Sequence, residues 1–433
     1  LVGELDDGEV DYELVTSCLV PLGEMHGKHV VTVEGMNLEE GELNPAQQAV
    51  VDYGGTQCGF CTPGFVVSLV WYLMCGEGEP TLDGFQRAIG GNLCRCTGYE
   101  SLNRASRALV EAFGEGGEHR EIWEADDRIA ALAEAGMIPA YFTDAAERVA
   151  EFPQPEPPDE EIDVADYFVA GGTDIYVQEG EDLPHSRVAV LNHFPEMDEI
   201  RLEDGEFRCG GLVSFEQFGQ HPEIRRLIPA IDDHLFLVAS LHIRNRATLG
   251  GNIVNASPIG DMTSLVFALG SDLVLQSEDD RRVVPMEDFY LDYKVMDREE
   301  DELLTEVVFP DGDERTRVNF EKVSKRKALD IATVCSGARL RTDDEGRLTE
   351  ANLTMGGVAP VPLLLEKTRD YLLGREVTSG TVENAIAVAD EEISPIGDVR
   401  GGADYKRLLV RQLLIAHFTE LYPDRVQFKE LAS

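Results

Sequence analysis

Two short stretches of the sequence, "TQCGFCTPGF" at residues 56–65 and "GNLCRCTGY" at residues 91–99, hold four of the eight cysteines in the chain. The first stretch has a C-x2-C pair and the second a C-x-C pair. Eight cysteines in 433 residues are too few for a disulfide scaffold. Their clustering therefore indicates a metal centre built from thiolates in a reducing compartment.

The spacing of these cysteines leaves three interpretations open. Zinc ribbons use two C-x2-4-C knuckles, and a C-x-C pair is tight for one tetrahedral ion. A [2Fe–2S] cluster suits the pattern better, with Cys58 and Cys61 on one iron and Cys94 and Cys96 on the other. Zinc and unliganded core thiols are the two alternatives.

Both cysteine pairs are predicted to lie at the start of a helix. Thr62-Pro63 predicts an N-cap followed by Pro at the first helical position, as Asn44-Pro45 does earlier in the chain, and Thr97 with Glu100 fits a capping box. Helix N-termini offer unpaired N–H groups and a partial positive charge. An anionic cluster would be stabilised by both.

The stretches "GTQCGFCTPGFVVSL" and "GGNLCRCTGY" together resemble the helical [2Fe–2S] domain of the xanthine dehydrogenase/aldehyde oxidase family. The resemblance implies that the four paired cysteines are the cluster ligands. It also implies that residues 1–36 are the end of a plant-type ferredoxin domain, in which Cys18 of "SCLVPL" matches the fourth ligand of a second cluster. The family's C-x4-C-x2-C loop is missing from this sequence. We therefore expect one cluster here and interpret the chain as N-terminally truncated.

The chain is strongly acidic, with 82 Asp and Glu against 37 Lys and Arg, a net charge of -45. Such a surface repels nucleic acid and anionic membranes, so we expect neither as a partner. It fits either a well-solvated surface or adaptation to high salt. The longest apolar run, "FVVSLVWYLMC", is far below the ~20 residues of a membrane span. A cytoplasmic location is expected.

Two glycine-bearing stretches stand out in the second half, "FVAGGTDI" at 168–175 and "ATLGGNIVNASPIGDM" at 247–262. Paired glycines let the backbone approach a ligand, and successive N–H groups can hold a diphosphate. A Gly-Gly pair by itself more often marks a simple turn. No G-x-G-x-x-G follows a predicted strand and no P-loop motif occurs, so the usual dinucleotide and nucleotide motifs are unsupported.

Together the two stretches resemble the FAD-binding domain of the same family, which includes the flavoprotein subunits of carbon monoxide dehydrogenase. The family's flavin-stacking aromatic aligns with Val238, and Phe236 lies two positions away, which leaves the electron acceptor open. The flavin contacts that the resemblance implies are Phe168, Val169, Ala170, Gly171, Gly172, Thr173, Asp174 and Ile175 in a first loop, Thr248, Gly251, Asn252, Ser257 and Asp261 in a second, and Leu304 and Lys322.

The predicted architecture is an α+β multidomain fold. The domains are 1–36, a remnant of a β-grasp ferredoxin domain; 37–114, a helical [2Fe–2S] domain; 115–162, an acidic linker with an amphipathic helix; 163–311, an α/β FAD-binding domain of the vanillyl-alcohol-oxidase/PCMH type; and 312–430, a C-terminal α+β domain with a three-stranded antiparallel sheet and helices. The isolated Cys75, Cys209 and Cys335 are predicted core thiols.

The function implied by the resemblance is electron transfer within a molybdenum hydroxylase. A molybdopterin-binding large subunit would oxidise a purine, and electrons would pass through [2Fe–2S] clusters to FAD and then to NAD+ in a heterotetramer or larger assembly. No catalytic residue is predicted in this chain. The alternatives are a related carbon monoxide, aldehyde or nicotinate dehydrogenase with another acceptor, and a non-catalytic zinc and nucleotide-binding module.

Overall fold

A computed structural model describes residues 1–153, 165–191, 194–278 and 280–431. The α-helices are α1 Pro45–Asp52, α2 Thr62–Cys75, α3 Leu82–Ile89, α4 Glu100–Phe113, α5 Arg120–Trp123, α6 Arg128–Glu134, α7 Ala145–Ala150, α8 Ile175–Gln178, α9 Phe215–Gln220, α10 Pro222–Leu227, α11 Ile231–Phe236, α12 Leu241–Arg244, α13 Leu249–Val254, α14 Asp261–Ala268, α15 Met286–Phe289, α16 Glu366–Leu372, α17 Ser379–Glu392, α18 Ala403–Leu421 and α19 Phe428–Leu431.

The strands are β1 Val2–Asp6, β2 Glu9–Glu13, β3 His29–Val30, β4 Tyr167–Val169, β5 Val188–Val190, β6 Ile200–Glu203, β7 Glu206–Gly210, β8 Asp272–Gln276, β9 Arg281–Pro285, β10 Tyr290–Asp292, β11 Val295–Met296, β12 Leu303–Pro310, β13 Thr316–Val323, β14 Val334–Thr342, β15 Leu348–Gly356 and β16 Leu363–Leu364. The chain divides into two compact units. The first consists of Leu1–Glu156 with Ser240–Asn245, and the second of Pro157–Ala239 with Arg246–Ser433.

The first unit packs helices around one apolar core beside a small antiparallel sheet of order β2-β1-β3. Asn44-Pro45 predicts an N-cap followed by Pro at the first helical position, and helix α1 begins in this way, with Asn44 as its N-cap. The Asn44 side chain accepts the Gln47 N–H at 2.9 Å, and the Gln47 side chain accepts the Asn44 N–H at 3.0 Å. This reciprocal capping box satisfies two of the N–H groups that a helix start leaves unpaired.

The interpretation of residues 115–162 as a linker needs correction for its first part, because residues up to Ala150 form packed helices. Trp123 at the end of α5 is buried, donates its indole N–H to the Gly78 carbonyl at 2.8 Å, and carries the Arg128 guanidinium over its ring. Leu132 and Phe142 belong to the same core. The Asp and Glu side chains of residues 115–150 are exposed, while many of the apolar side chains of the segment pack into the core. Most of the Pro-rich stretch that follows, residues 154–164, lies outside the described residues.

The second unit contains a five-stranded antiparallel sheet of order β6-β7-β12-β8-β9 and a short parallel pair, β4 and β5. A separate antiparallel sheet, β13-β14-β15-β16, packs against α14, α16 and α18. Three strand-like runs in the sequence, "NFEKVSK", "IATVCSGARLRT" and "EANLTMGGVAP", predict the three long strands of that sheet, and the structure confirms them. The two-residue strand β16 adds a fourth strand at its edge, pairing Leu363 with Met355. A two-residue strand has too little alternation to be recognised from sequence.

A buried chain of polar side chains crosses the core of the second unit. His417 on α18 contacts Asn319 on β13 at 3.1 Å and Ser336 on β14 at 2.8 Å. The Asn319 amide oxygen also lies 3.0 Å from the ring nitrogen Nε2 of His234 on α11. Because buried polar groups are stabilising only when paired, this network fixes how the two helices sit on the sheet.

We expect the second unit to lose stability in mild acid because of this network. Burial lowers the pKa of His417 to about 3 and also lowers the pKa of His234. Below pH ~6.5 the unfolded chain binds protons that the native state does not. The free energy of unfolding therefore decreases as the pH is lowered, by up to about 1.4 kcal/mol per pH unit for each histidine. His417→Gln should flatten this dependence in denaturant titrations between pH 7 and 4. An unchanged slope in the variant would contradict the assignment.

Among the described residues, no helix combines the length and the apolar character needed to cross a bilayer.

Candidate cofactor sites

The four paired cysteines come together in the first unit, but they pair across the two motifs rather than within them. The Cys96 sulfur lies 3.7 Å from that of Cys58, while Cys61 and Cys94 share a hydrogen bond. The pairing follows depth, since Cys58 and Cys96 are exposed whereas Cys94 is buried and Cys61 is partly buried. The prediction that each motif serves one iron stays a prediction, although these sulfur contacts favour ligand pairs that join the two motifs. Neighbouring ligands within a motif face different sides of the site.

Hydrogen bonds from Thr97 and burial set the proton affinities of the two sulfurs in the buried pair. The Thr97 hydroxyl lies 3.1 Å from the Cys94 sulfur, and the Thr97 backbone N–H donates to it at 3.4 Å. These hydrogen bonds lower the pKa of Cys94 to about 7. Burial, with a smaller contribution from Cys94, raises the pKa of Cys61 to about 11. Cys94 is thus the thiol that most readily becomes a metal-binding thiolate.

The predicted capping box at Thr97 is wrong, because its hydroxyl is committed to the cysteine. Helix α4 begins at Glu100 behind Tyr99, whose backbone is left-handed at φ 67°. The Tyr99 N–H donates to Thr97 Oγ1 at 3.2 Å, and the Tyr99 hydroxyl accepts the Cys94 N–H at 3.0 Å. The predicted start of α2 is wrong by one residue, since Cys61 rather than Thr62 is the N-cap and Pro63 is the second helical residue. Only the C-x2-C pair therefore lies directly at a helix N-terminus.

The four thiols can be compared with the donor sets that zinc and a two-iron cluster require. A structural zinc site needs four ligands around a single ion. A [2Fe–2S] cluster needs two thiolates on each of two irons, which is the donor set that two separate thiol pairs provide. The residues present fit a [2Fe–2S] cluster.

Cys18 belongs to neither of these two thiol pairs. It is exposed, in a short 3-10 turn at Ser17–Leu19, and no metal-ligating group of three includes it among the residues with described positions. The match of Cys18 to a ligand of a second cluster stays a prediction.

The two glycine-bearing loops of the second unit are joined to each other. Asn255 donates a side-chain N–H to the Asp174 carboxylate at 2.9 Å, and Arg246 donates to the Gly171 carbonyl at 3.4 Å. A side chain at Gly171 would collide with the Arg246 carbonyl. Gly172 has a left-handed φ of 72°, which favours glycine. In the first loop, glycine is therefore required by the fold itself.

A residue that the sequence interpretation missed supports the second loop. Lys294, at the tip of the β10–β11 hairpin, donates to the Asn255 carbonyl and lies 3.0 Å from its side-chain oxygen. Its backbone is left-handed at φ 58°. The sequence carried no signal for this contact, because the hairpin lies 39 residues further along the chain.

A buried ion pair lies at the end of the second loop. Lys322 Nζ is 2.6 Å from Asp261 Oδ2 and donates to the Leu237 carbonyl at 2.8 Å, and only 2% of its side chain is exposed. The Asp261 Oδ1 atom is buried and receives no N–H or O–H donor from the described residues. Burial raises the pKa of Asp261, and Lys322 opposes that shift. This oxygen is an available acceptor for a ligand donor.

Several of the other predicted flavin contacts make hydrogen bonds or packing contacts within the protein itself. Thr248 caps α13 by accepting the Gly251 N–H at 3.0 Å, and Asn252 accepts the Thr263 N–H at 3.0 Å. Ser257 accepts the Ile259 N–H at 3.4 Å. Leu304 is buried on β12.

One side of the first loop packs against a small apolar cluster. Phe168 and Ala170 contact Leu191 and Met197 there, while Val169 on β4 is buried and Thr173 and Ile175 are partly exposed. Val238, at the family's stacking position, is also buried. Lys327 lies over the Phe236 ring at 5.3 Å. The assignment of these residues to flavin stays a prediction.

The residues fit FAD on two observations of this structure. The Oδ1 atom of Asp261 is a buried acceptor that receives no N–H or O–H donor from the part of the chain that the structure describes, and a Cβ at Gly251 would already meet Thr248 Oγ1 at 2.8 Å, so glycine keeps the backbone accessible there. Asp261, Lys322 and the two joined loops would hold the group. Lys322 and the Cys335 thiol are the partners of the carboxylate, and a ligand donor at Oδ1 would reduce the remaining cost of its burial.

Gly251→Leu should weaken FAD binding by at least about tenfold, since a side chain there obstructs close approach of the ligand, and it should cost some stability because its Cβ would lie 2.8 Å from Thr248 Oγ1, the cap of α13. A matched control is Gly250→Leu, because a Cβ there would lie 2.6 Å from the Gly211 carbonyl and should destabilise the fold instead. Flavin titration and thermal melts of both variants separate the two effects. Full flavin affinity in Gly251→Leu would refute the loop assignment.

Three family models match the chain in succession. The model "[2Fe-2S] binding domain" covers residues 32–107, "FAD binding domain in molybdopterin dehydrogenase" covers 160–312, and "CO dehydrogenase flavoprotein C-terminal domain" covers 320–421. The first range contains both thiol pairs, and the second contains both glycine-bearing loops.

Similar curated proteins are longer than this chain. Xanthine dehydrogenase 1 of Arabidopsis thaliana is 25% identical over 93% of the chain, and aldehyde oxidase 1 of Bos taurus is 26% identical over 96%. The matched regions are 35% and 36% of those proteins. The chain therefore spans about a third of the length of the curated relatives it matches.

Solved structures extend the similarity to the fold. Carbon monoxide dehydrogenase from Hydrogenophaga pseudoflava matches 59% of this chain and 89% of its own, with a TM-score of 0.53 and 26% identity. Quinoline 2-oxidoreductase from Pseudomonas putida 86 matches 60% and 90%, with a TM-score of 0.54 and 25% identity. With its [2Fe–2S], FAD and flavoprotein C-terminal domains in this order, the chain belongs to the xanthine dehydrogenase/aldehyde oxidase/carbon monoxide dehydrogenase family, as an iron–sulfur and FAD chain.

Proposed function

We propose that this chain is the electron-transfer subunit of a xanthine dehydrogenase. A molybdopterin-binding large subunit oxidises a purine such as xanthine or hypoxanthine, and this chain conducts the electrons through its iron–sulfur site to FAD and on to NAD+. The observation that carries the proposal is the presence, in one chain, of two thiol pairs suited to a two-iron cluster and a separate loop pair suited to flavin.

The surface beside the thiols supports contact with an electron-donating protein. Cys58 and Cys96 are exposed, the Phe60 side chain between the first two ligands is 94% exposed, and Leu93 is 59% exposed. Large apolar side chains at the surface mark protein interaction sites when they border a functional group. A cluster at this depth would lie within a short distance of a docked partner.

The residues of the flavin site have distinct tasks in this proposal. FAD, when bound, links the one-electron chemistry of a cluster to two-electron hydride transfer. Asp261 supplies a buried acceptor, and Lys322 holds that carboxylate in place from β13. Gly251 leaves room for close approach of the ligand. Water is limited at the pair because Lys322 is almost fully buried.

A second candidate function is a carbon monoxide, aldehyde or nicotinate dehydrogenase with another electron acceptor. It is favoured by the match of residues 320–421 to the CO dehydrogenase flavoprotein C-terminal domain and by Val238 at the stacking position. Loss of an aromatic contact alters the environment of the flavin ring, and with it the choice of acceptor. A cytoplasmic heterotetramer or larger assembly is proposed in either case.

The test is to co-express the chain with its molybdopterin-binding partner and follow anaerobic reduction by stopped-flow absorbance. Xanthine should bleach the iron–sulfur and flavin bands, and NAD+ should reoxidise them. Bleaching by an aldehyde or carbon monoxide but not by xanthine would favour the second candidate. A purified chain with zinc and no iron would refute both, and would support a zinc and nucleotide-binding module.

A further inference from the structure

Three polar side chains form a buried connection beside the thiol site in the first unit. Asn92 donates its side-chain N–H to the Ser68 hydroxyl at 2.8 Å, and that hydroxyl lies 3.2 Å from Nε2 of His242. Ser68 is fully buried and His242 is 8% exposed. None of the three is a predicted ligand of iron or flavin.

Asn92 joins the two halves of the thiol set. It lies two residues before Cys94, and its partner Ser68 stands on α2, the helix that begins immediately after Cys61. The Asn92 side chain packs so closely on Gly64 of α2 that a Cβ there would collide with its amide oxygen. Cys61 and Cys94 form the buried thiol pair. The Asn92–Ser68 bond therefore fixes the separation of the two elements that carry this pair.

His242 supports this bond from a distant part of the sequence. It lies on α12, within the segment Ser240–Asn245 that belongs to the first unit although its chain neighbours on both sides belong to the second. Leu241 is part of the first unit's core, and Asn245 donates to the Leu14 carbonyl at 2.9 Å. Both contacts anchor the segment. Burial lowers the pKa of His242 to about 4, so the ring is neutral near pH 7.

The ring also contacts the glycine that precedes Asn92. A side chain at Gly91 would collide with Nδ1 of His242. That nitrogen is buried and has no hydrogen-bond partner among the described residues. The imidazole therefore acts on the C-x-C loop in two ways, through the hydrogen bond to Ser68 and through direct packing on Gly91.

We propose that His242 is a positioning residue for the iron–sulfur site, holding Ser68 and Asn92 so that Cys61 and Cys94 keep the spacing that one iron requires. The inference rests on the proposed function, since it presumes a cluster at these thiols. Outer partners that orient metal ligands commonly change metal affinity about 10–100-fold when removed. Hydrogen bonding and burial around the sulfurs also set the properties of the cluster.

The test compares three variants of the full chain. In His242→Ala, iron release to a ferrous chelator should be about tenfold faster or more, and the EPR signal of the dithionite-reduced cluster should change its g-values. His242→Gln keeps an amide within reach of Ser68 and should restore both properties. His234→Ala, which removes an equally buried histidine from the second unit, should leave the EPR signal unchanged.

A double substitution keeps the proposal testable if His242→Ala fails to fold. Gly91→Ala alone should accelerate iron release, because the new methyl group meets the imidazole. Combined with His242→Gln, whose side chain is flexible, Gly91→Ala should be partly relieved. No relief would overturn the packing role that we assign to the ring.

The possible results distinguish failure of the positioning role of His242 from failure of the proposed electron-transfer function. A wild-type chain without a [2Fe–2S] signal would refute the proposed function. A normal wild-type signal with unchanged g-values and iron release in His242→Ala would refute only the positioning role. Equal changes in His242→Ala and His234→Ala would also refute it, because both would then reflect loss of overall stability.

Discussion

Cys94→Ser is expected to abolish the iron–sulfur absorption and EPR signal of this chain while FAD remains bound. Cys94 is buried, shares a hydrogen bond with Cys61, and has a pKa lowered to about 7 by Thr97. A serine hydroxyl ionises far less readily than a thiol and is a poor ligand for iron at neutral pH. The predicted flavin contacts all lie in the second unit, so their geometry should not change.

The measurements are iron per chain, the visible spectrum, and flavin released by acid. Cys18→Ser is the matched control, since Cys18 is exposed, lies in the same unit and belongs to neither thiol pair. It should retain the full iron content. Unchanged iron in Cys94→Ser would mean that the ligand assignment is wrong.

Lys322→Met is expected to have the second large effect, on stability as well as flavin binding. The substitution leaves the Asp261 carboxylate buried without its ammonium partner and the Leu237 carbonyl without its donor. Breaking one side of a buried ion pair costs about 3–5 kcal/mol. Denaturant titration of the flavin-free chain should show a loss of this size, and FAD affinity should fall as Asp261 changes its protonation or position.

A double variant separates the two roles of the pair. Lys322→Met with Asp261→Leu replaces both charges by apolar groups, which is often neutral for stability. We expect the double variant to regain most of the free energy of unfolding and still bind FAD poorly, because the acceptor oxygen is gone. Recovery of FAD affinity along with stability would show that the pair serves the fold alone.

Local patterns in the sequence were sufficient for the elements that local chemistry determines. The start of α2 follows to within one residue from Thr62-Pro63, and α1 follows from the Asn44 cap. The long strands of the C-terminal sheet lie where strand-like runs predict them, and α16, α17 and α18 lie where helix-like runs near 363–373, 381–392 and 403–421 predict them. In each case the deciding residues are within one turn or one strand of each other.

The features that could not be predicted depend on contacts between distant residues. The thiol pair of Cys58 and Cys96 joins residues that are 38 positions apart. The Thr97 hydroxyl contacts the Cys94 sulfur, although the local sequence is equally compatible with a helix-capping role for it. Lys294 and Asn255 meet only because a hairpin folds back on the loop. Packing of Trp123 over Gly78 likewise converts an apparent linker into part of a core.

Ser240–Asn245 belongs to the first unit although the residues on both sides of it belong to the second, and this has a consequence for folding during synthesis on the ribosome. The last helix of the contiguous part of that unit ends at Ala150, 90 residues before Ser240. At a translation rate of about 5–20 residues per second, those 90 residues take roughly 5–18 s to emerge. During that interval the thiols are already outside the exit tunnel while Leu241 and His242 are still being made. A nascent chain would thus offer its cysteines to a cluster-assembly system before the pocket around them is complete.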